Sequence, residues 1–273
     1  MLFAFLGQIY TGAAQTRAIK NINYANDTDL AHTLNIYQKK NGSPNQDVIV
    51  FIHGGSWSSG KKETYWWLGK NFAKNNVLSV VINYPLAPNA TYKEMALSCA
   101  KAIKWVRENI AQYGGNPSRI FLMGHSAGGH LAELINADPQ YFKTIGIPNP
   151  IKGIILNDPF GLDMEEYLAK AEKDHYYTDF LRTFSTDSKV WQAGSPLFYV
   201  KNIQNPHLIF YGTKTYQAIQ IQSERIYKTL QEQKVAVKLK VIQGKKHVGM
   251  ITQMIWGSNK LYQDILEFLK ETK

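Results

Sequence analysis

A single cysteine, Cys99, stands among 273 residues, so the chain can build neither an intramolecular disulfide nor a cysteine-based metal site. Cys99 falls in a helical pattern beside Leu97, Ala100 and Ile103, where a small buried apolar side chain is expected. Long hydrophobic runs are missing too, since no apolar stretch reaches the roughly 18 residues that cross a bilayer. Blocks of like charge are also absent. The net charge is +10, but lysine and arginine are scattered singly and in pairs, which describes a solvated basic surface and argues against nucleic-acid binding. There is no internal repeat, low-complexity tract or linker. With 44% hydrophobic and 19% charged residues, the chain reads as one globular domain over residues 15–273. Nothing in it calls for a metal or an organic cofactor.

Residues 1–14 stand apart. "LFAFLGQIYTGAAQT" is a short apolar stretch followed by Gly12, Ala13 and Ala14, which resembles the second half of a secretory signal with cleavage after Ala14. The usual basic segment in front is lacking, so an apolar N-terminal arm is the competing reading. The balance favours a secreted or periplasmic location over a cytoplasmic one.

What the chain does have is a strand and helix alternation. "DVIVFIHGG" (Asp47–Gly55), "VLSVVINYP" (Val77–Pro85), "RIFLMG" (Arg119–Gly124), "IKGIILND" (Ile151–Asp158) and "PHLIFYG" (Pro206–Gly212) are short apolar runs closed by turn residues. Such continuous apolarity marks strands buried on both faces of a parallel sheet. "VKLKVIQG" (Val237–Gly244) alternates apolar residues with lysines and suits a sheet edge. Between these runs, Leu97, Ala100, Ile103, Val106 and Ile110 repeat at helical spacing up to Gly114-Gly115, and Leu261, Ile265, Leu266 and Leu269 form a C-terminal stripe. The pattern predicts an α/β fold with a mostly parallel central sheet flanked by helices. From about Phe160 to Ser195 the rhythm is interrupted by a stretch rich in Tyr, Asp, Lys and Phe, which is either a cap over a site or a peripheral helical excursion.

Gly124-His125-Ser126-Ala127-Gly128 is G-x-S-x-G, entered from a strand and left through a helical pattern. That context is the one a nucleophile elbow requires, with the serine hydroxyl projecting above the sheet and the following helix aiming its N-terminal N–H groups at the same point. "FIHGGSW", directly after an earlier strand, offers Gly54 and Gly55, whose amides together with that of Ala127 can form an oxyanion hole; Trp57 is a candidate substrate contact. Of the seven histidines, His247 follows the last strand, where this arrangement takes its base. His53 and His125 lie inside backbone-forming motifs and suit structural hydrogen bonds.

These motifs resemble those of the α/β-hydrolase superfamily, in particular small carboxylesterases related to hormone-sensitive lipase, feruloyl esterases and kynurenine formamidase. The likeness runs from "HTLNIYQ" (His32–Gln38) through "HGGSW", "INYPLAP" (Ile82–Pro88) and "WVRENIAQYGGNPSRIFLMGHSAGGHLA" to "SPLFYV", "PHLIFYG" and the His247 loop. It implies hydrolysis of a carboxylic ester through an acyl-serine, with a small-molecule or polysaccharide-linked ester as substrate.

One part of the pattern breaks. In such proteins the acid of the triad stands a few residues after the strand ending "IFYG", but this chain has Thr215 there and no carboxylate before Glu224, which falls in a helical pattern as if buried. Asp158, at the end of the preceding strand, and Asp163 behind it are the alternatives. Each also has a structural reading, Asp158 as a turn starter and Asp163 as a helix cap. A Ser126–His247 dyad and a non-catalytic acyl- or carbohydrate-binding protein on a hydrolase scaffold also fit. Trp57, Trp66, Trp67, Tyr176, Tyr177 and Trp191 are the aromatic candidates for a substrate pocket.

Overall fold

A computed structural model describes residues 15–272; the segment read as a partial signal, residues 1–14, lies outside them. The strands are β1 (Thr16–Asn23), β2 (Thr33–Lys39), β3 (Gln46–Ile52), β4 (Leu78–Ile82), β5 (Gly115–His125), β6 (Ile151–Asn157), β7 (His207–Gly212) and β8 (Val237–Ile242). They form one eight-stranded sheet in the order β1-β2-β4-β3-β5-β6-β7-β8. β2 runs antiparallel to both of its neighbours, whereas the pairs from β4 through to β8 are parallel. β1 and β2 lack unbroken apolar runs: β1 alternates with exposed polar residues at the sheet edge, and Asn35 and Gln38 interrupt β2.

The helices are α1 (Trp66–Lys74), α2 (Tyr92–Asn109), α3 (Ala127–Ala137), α4 (Gln140–Thr144), α5 (Met164–Lys170), α6 (His175–Phe184), α7 (Ser188–Ala193), α8 (Gln217–Glu232), α9 (His247–Thr252) and α10 (Lys260–Glu271). Alternate residues of each central strand feed two separate cores. Val48, Val50 and Ile52 of β3 and Ile120 and Leu122 of β5 pack with α2, α3 and α8. Ile49 and Phe51, with Phe121 and Met123, pack with α1, α9 and α10. Two covered faces are the physical reason these strands read as unbroken apolar runs. Cys99 is buried on α2, where burial pushes its thiol pKa up. β8, with its half-exposed lysine alternation, lies at the other sheet edge as expected. Among the described residues, no helix is long and apolar enough to cross a membrane.

Parallel strands bring their C-terminal ends to one rim of the sheet. The loops after β3, β5, β6, β7 and β8 therefore meet there, and each one carries a candidate site residue.

Candidate active site

Ser126 links β5 to α3 with φ 56° and ψ −127°, a conformation that a side-chain-bearing residue adopts only when its surroundings enforce it. The enforcement comes from close packing. A Cβ on Gly124 would lie 2.2 Å from the Gly128 carbonyl oxygen, and one on Gly128 would lie 2.1 Å from the Ile52 carbonyl oxygen. Both positions of the G-x-S-x-G frame thus need glycine for space. Ala127 opens α3, so helix geometry leaves its N–H without an intrahelical partner.

Ser126 Oγ lies 2.8 Å from Nε2 of His247, the first residue of α9. On the other side of the ring, Nδ1 lies 2.6 Å from Oδ2 of Asp158, which is fully buried just past the end of β6. A carboxylate only accepts, so Nδ1 carries the proton and Nε2 is left to accept from the serine hydroxyl. Asp158 Oδ1 accepts the Gly212 N–H at 2.9 Å, and Oδ2 also accepts the Thr215 hydroxyl. The residue standing in the expected acid position is therefore bonded to the carboxylate that reaches the histidine. Asp163, the alternative, is turned away: it caps α5 through the Glu166 N–H at 2.9 Å and pairs with Arg225 at 2.9 Å. Glu224 is exposed, not buried, and accepts the Tyr211 hydroxyl at 2.6 Å.

The Gly54-Gly55 loop presses on the elbow. A Cβ on Gly54 would lie 2.8 Å from the His125 carbonyl oxygen and 3.0 Å from Ser126 Cβ. Gly55, Ser56 and Trp57 follow with φ of 125°, 51° and 59°, a run of left-handed residues that sharply reverses the chain. That reversal turns Trp57 inward, contrary to the expectation of a substrate contact. Its indole is fully buried, packs edge-on to Phe180 and Phe184, and donates Nε1–H to His130 Nδ1 at 3.2 Å. His130 in turn donates Nε2–H to the Gly194 carbonyl at 2.7 Å. Trp57 therefore ties the glycine loop to the helix behind the serine and to the end of the insertion, instead of facing a ligand. An indole is buried at little penalty once its N–H has found an acceptor.

Burial holds three of the neighbouring histidines neutral. His53 is pushed down to about 4 and donates Nδ1–H to the Gly54 carbonyl at 2.8 Å; His130 is also pushed to about 4. His125 falls to about 3 through burial and the nearby His247. Its Nε2 donates to the His247 carbonyl at 3.3 Å, and the two rings stack with centroids 5.0 Å apart. Asn157 adds a second anchor, donating to the Met250 carbonyl at 3.1 Å and so holding α9 against the end of β6. Neither anchor was legible in the sequence, since each joins residues more than ninety positions apart.

Above the serine lies a cavity of about 610 Å³. Its floor is Ser126, His247 and Ser56, and its walls are Phe160, Tyr167, Tyr176, Tyr177, Phe180 and Tyr216, with Glu172 and Asp174 at the insertion. The stretch from Phe160 to Ser195 is thus a cap: it forms α5, α6 and α7 and supplies most of the wall. Of the aromatic candidates, Tyr176 and Tyr177 line the cavity. Trp66 is solvent-exposed, Trp67 packs on the second core, and Trp191 donates its indole N–H to the Ser185 carbonyl at 2.9 Å. For Phe160, Tyr167 and Phe180 the sequence signal is the density of aromatics in the insertion, whereas Tyr216, after β7, carries none.

The sequence profile of the BD-FAE family matches residues 34–230, which includes the glycine loop, the serine elbow, Asp158 and Thr215. The chain belongs to the BD-FAE family. It is 28% identical over 251 residues to the probable isoprenylcysteine alpha-carbonyl methylesterase ICMEL1 of Arabidopsis thaliana, covering 85% of this chain and 52% of that protein. The chain spans between 52% and 58% of the length of the first three such methylesterases it matches. In structure it resembles esterase B from Lactobacillus rhamnosis HN001, with a TM-score of 0.81 at 19% identity over 94% of this chain and 86% of that one. A truncated carbohydrate esterase from gut microbiota gives a TM-score of 0.79 at 18% identity, covering 95% of this chain and 97% of that one. The fold of this BD-FAE member is the α/β-hydrolase fold.

Proposed function

We propose that the protein is a serine hydrolase that cleaves carboxylic esters through an acyl-serine intermediate. One observation carries the reading: the continuous hydrogen-bonded sequence Ser126–His247–Asp158 at the floor of a ligand-sized cavity. His247 takes the proton from Ser126 Oγ as the oxygen attacks the ester carbonyl carbon. The negative charge moves onto the carbonyl oxygen, facing the amides of Gly54, Gly55 and Ala127, where each well-aimed donor is worth roughly 3–4 kcal/mol. His247 then returns the proton to the departing alcohol oxygen. A water, deprotonated by the same ring, releases the acid and regenerates the serine. Asp158 keeps the ring in the required tautomer and offsets its transient positive charge.

The names of the relatives support esterase chemistry in general. The cavity supports a substrate in which a short acyl group, such as acetyl, is joined to a larger aryl or sugar alcohol, because the aromatic walls suit stacking against a flat or polyhydroxylated partner. The carbohydrate esterase likeness points the same way. The second reading, a binding protein on a hydrolase scaffold, was motivated by Thr215 in the acid position. The 2.6 Å contact of Asp158 Oδ2 with His247 Nδ1 supports hydrolysis over that reading.

A fluorophosphonate probe should label the wild-type protein and leave Ser126→Ala unlabelled; an unlabelled folded wild type would refute the proposal. Asp158→Asn should lower kcat on p-nitrophenyl acetate by about 10⁴, while Asp163→Asn stays within about threefold of wild type. Ligand binding with no turnover would favour the binding protein instead.

A further inference from the structure

Asp158 stands just past the end of β6 and His247 opens α9, and no regular element joins them. Besides the Asn157 anchor, the turn after β7 links them. Gly212 N–H donates to Asp158 Oδ1 at 2.9 Å, and the Thr215 hydroxyl donates to Oδ2, the same oxygen that receives His247 Nδ1–H at 2.6 Å. The turn also grips the loop leading to His247. Thr213 N–H reaches the Ile242 carbonyl at 3.0 Å, Lys214 N–H the Lys245 carbonyl at 2.9 Å, and Gly244 N–H the Thr213 hydroxyl at 2.8 Å.

We infer that Thr215 is a positioning residue of the reaction, pinning the Asp158 carboxylate so that Oδ2 faces the histidine. The inference rests on the proposed serine-hydrolase reading. Its reason is torsional. The terminal torsion of an aspartate is broad and roughly two-fold, so the plane of the carboxylate is set by the hydrogen bonds to its oxygens and not by a rotamer preference. Asp158 follows β6 with φ 52°, and its side chain reaches the turn through the Gly212 N–H. The Gly212 amide holds Oδ1, and Thr215 holds Oδ2. Both oxygens are then fixed by one turn, and that turn is bonded to the loop that places the imidazole. Thr215 acts through Asp158 and does not itself touch the reacting atoms.

Thr215→Val keeps the shape and removes the O–H, whereas Thr215→Ser keeps the O–H. In Val the expected result is a fall in kcat of about tenfold or more, with KM within about twofold, as loss of a hydrogen bond to a charged acceptor predicts. Ser should return kcat to within about threefold of wild type. The low-field proton resonance of the His247 ring should move in Val and stay in place in Ser. Unchanged kcat and an unmoved resonance in a folded Val variant would overturn the inference. So would a Ser variant as impaired as Val, which would mean that the hydroxyl by itself does not hold the carboxylate. If Val does not fold, Thr215→Ala takes its place with the same expected result. Asp158→Asn measured alongside separates the two levels. If it loses kcat while Val does not, only the role of Thr215 falls. If the wild type hydrolyses no ester, the proposed function falls and the ring-proton resonance still decides Thr215.

Discussion

Trp57 illustrates how far a motif carries a single residue. Its place after the two glycines was legible, but its direction depended on three consecutive left-handed residues, which no local preference of Ser56 or Trp57 would suggest. The outcome is an indole that braces the glycine loop through His130. Trp57→Phe should leave His130 Nδ1 buried without a donor, at a loss of about 1–3 kcal/mol in urea unfolding. It should also lower kcat more than it raises KM, because the loop proposed to face the carbonyl oxygen loosens. Equal stability and unchanged kcat would reduce Trp57 to filling space. Ser126 and His247 could be read from the chain because the elbow and the loop after the last strand are local patterns. Asp158 could only be held open against Asp163, since the two differ in where the carboxylate points: one at an imidazole, the other at Arg225 and the start of α5.

Among the elements, the strands were the most legible. Burial on both faces writes itself into sequence as unbroken apolarity, and β3, β5, β6 and β7 all carry it. β1 and β2 do not announce themselves so clearly, and neither do the short helices of the cap, whose ends are set by Asp163, Asp174 and Asp187 capping α5, α6 and α7. The cap matters because it presents aromatic rings to the cavity. Tyr176, on α6, is exposed at the cavity wall, so Tyr176→Ala should leave stability within about 0.5 kcal/mol of wild type. The same change should raise KM severalfold for a bulky aryl ester and leave KM for p-nitrophenyl acetate nearly unchanged. An equal effect on both substrates would mean that the ring does not contact the larger group.

At the scale of the whole molecule, acid sensitivity follows from the buried histidines. His53 and His130, near 4, and His125, near 3, are neutral in the native state, whereas an unfolded histidine takes up a proton near 6.5. Below about pH 6.5 the unfolded chain binds more protons than the folded one, so stability is full above that value and is lost as pH falls towards the native pKa values. Each histidine contributes a slope of about 1.4 kcal/mol per pH unit inside that window. The urea midpoint should drop clearly between pH 7 and pH 5; an unchanged midpoint would mean these rings are accessible to protons while folded. The sequence alone determined the layered α/β architecture and pointed to the serine and histidine of the proposed site, because strand periodicity, glycine spacing and position after a strand are properties of neighbouring residues. The tertiary structure alone decided which carboxylate serves the histidine, which aromatics face the cavity and what Thr215 touches. Those are meetings between side chains far apart in the chain, settled by how the ends of β6, β7 and β8 converge on one rim of the sheet.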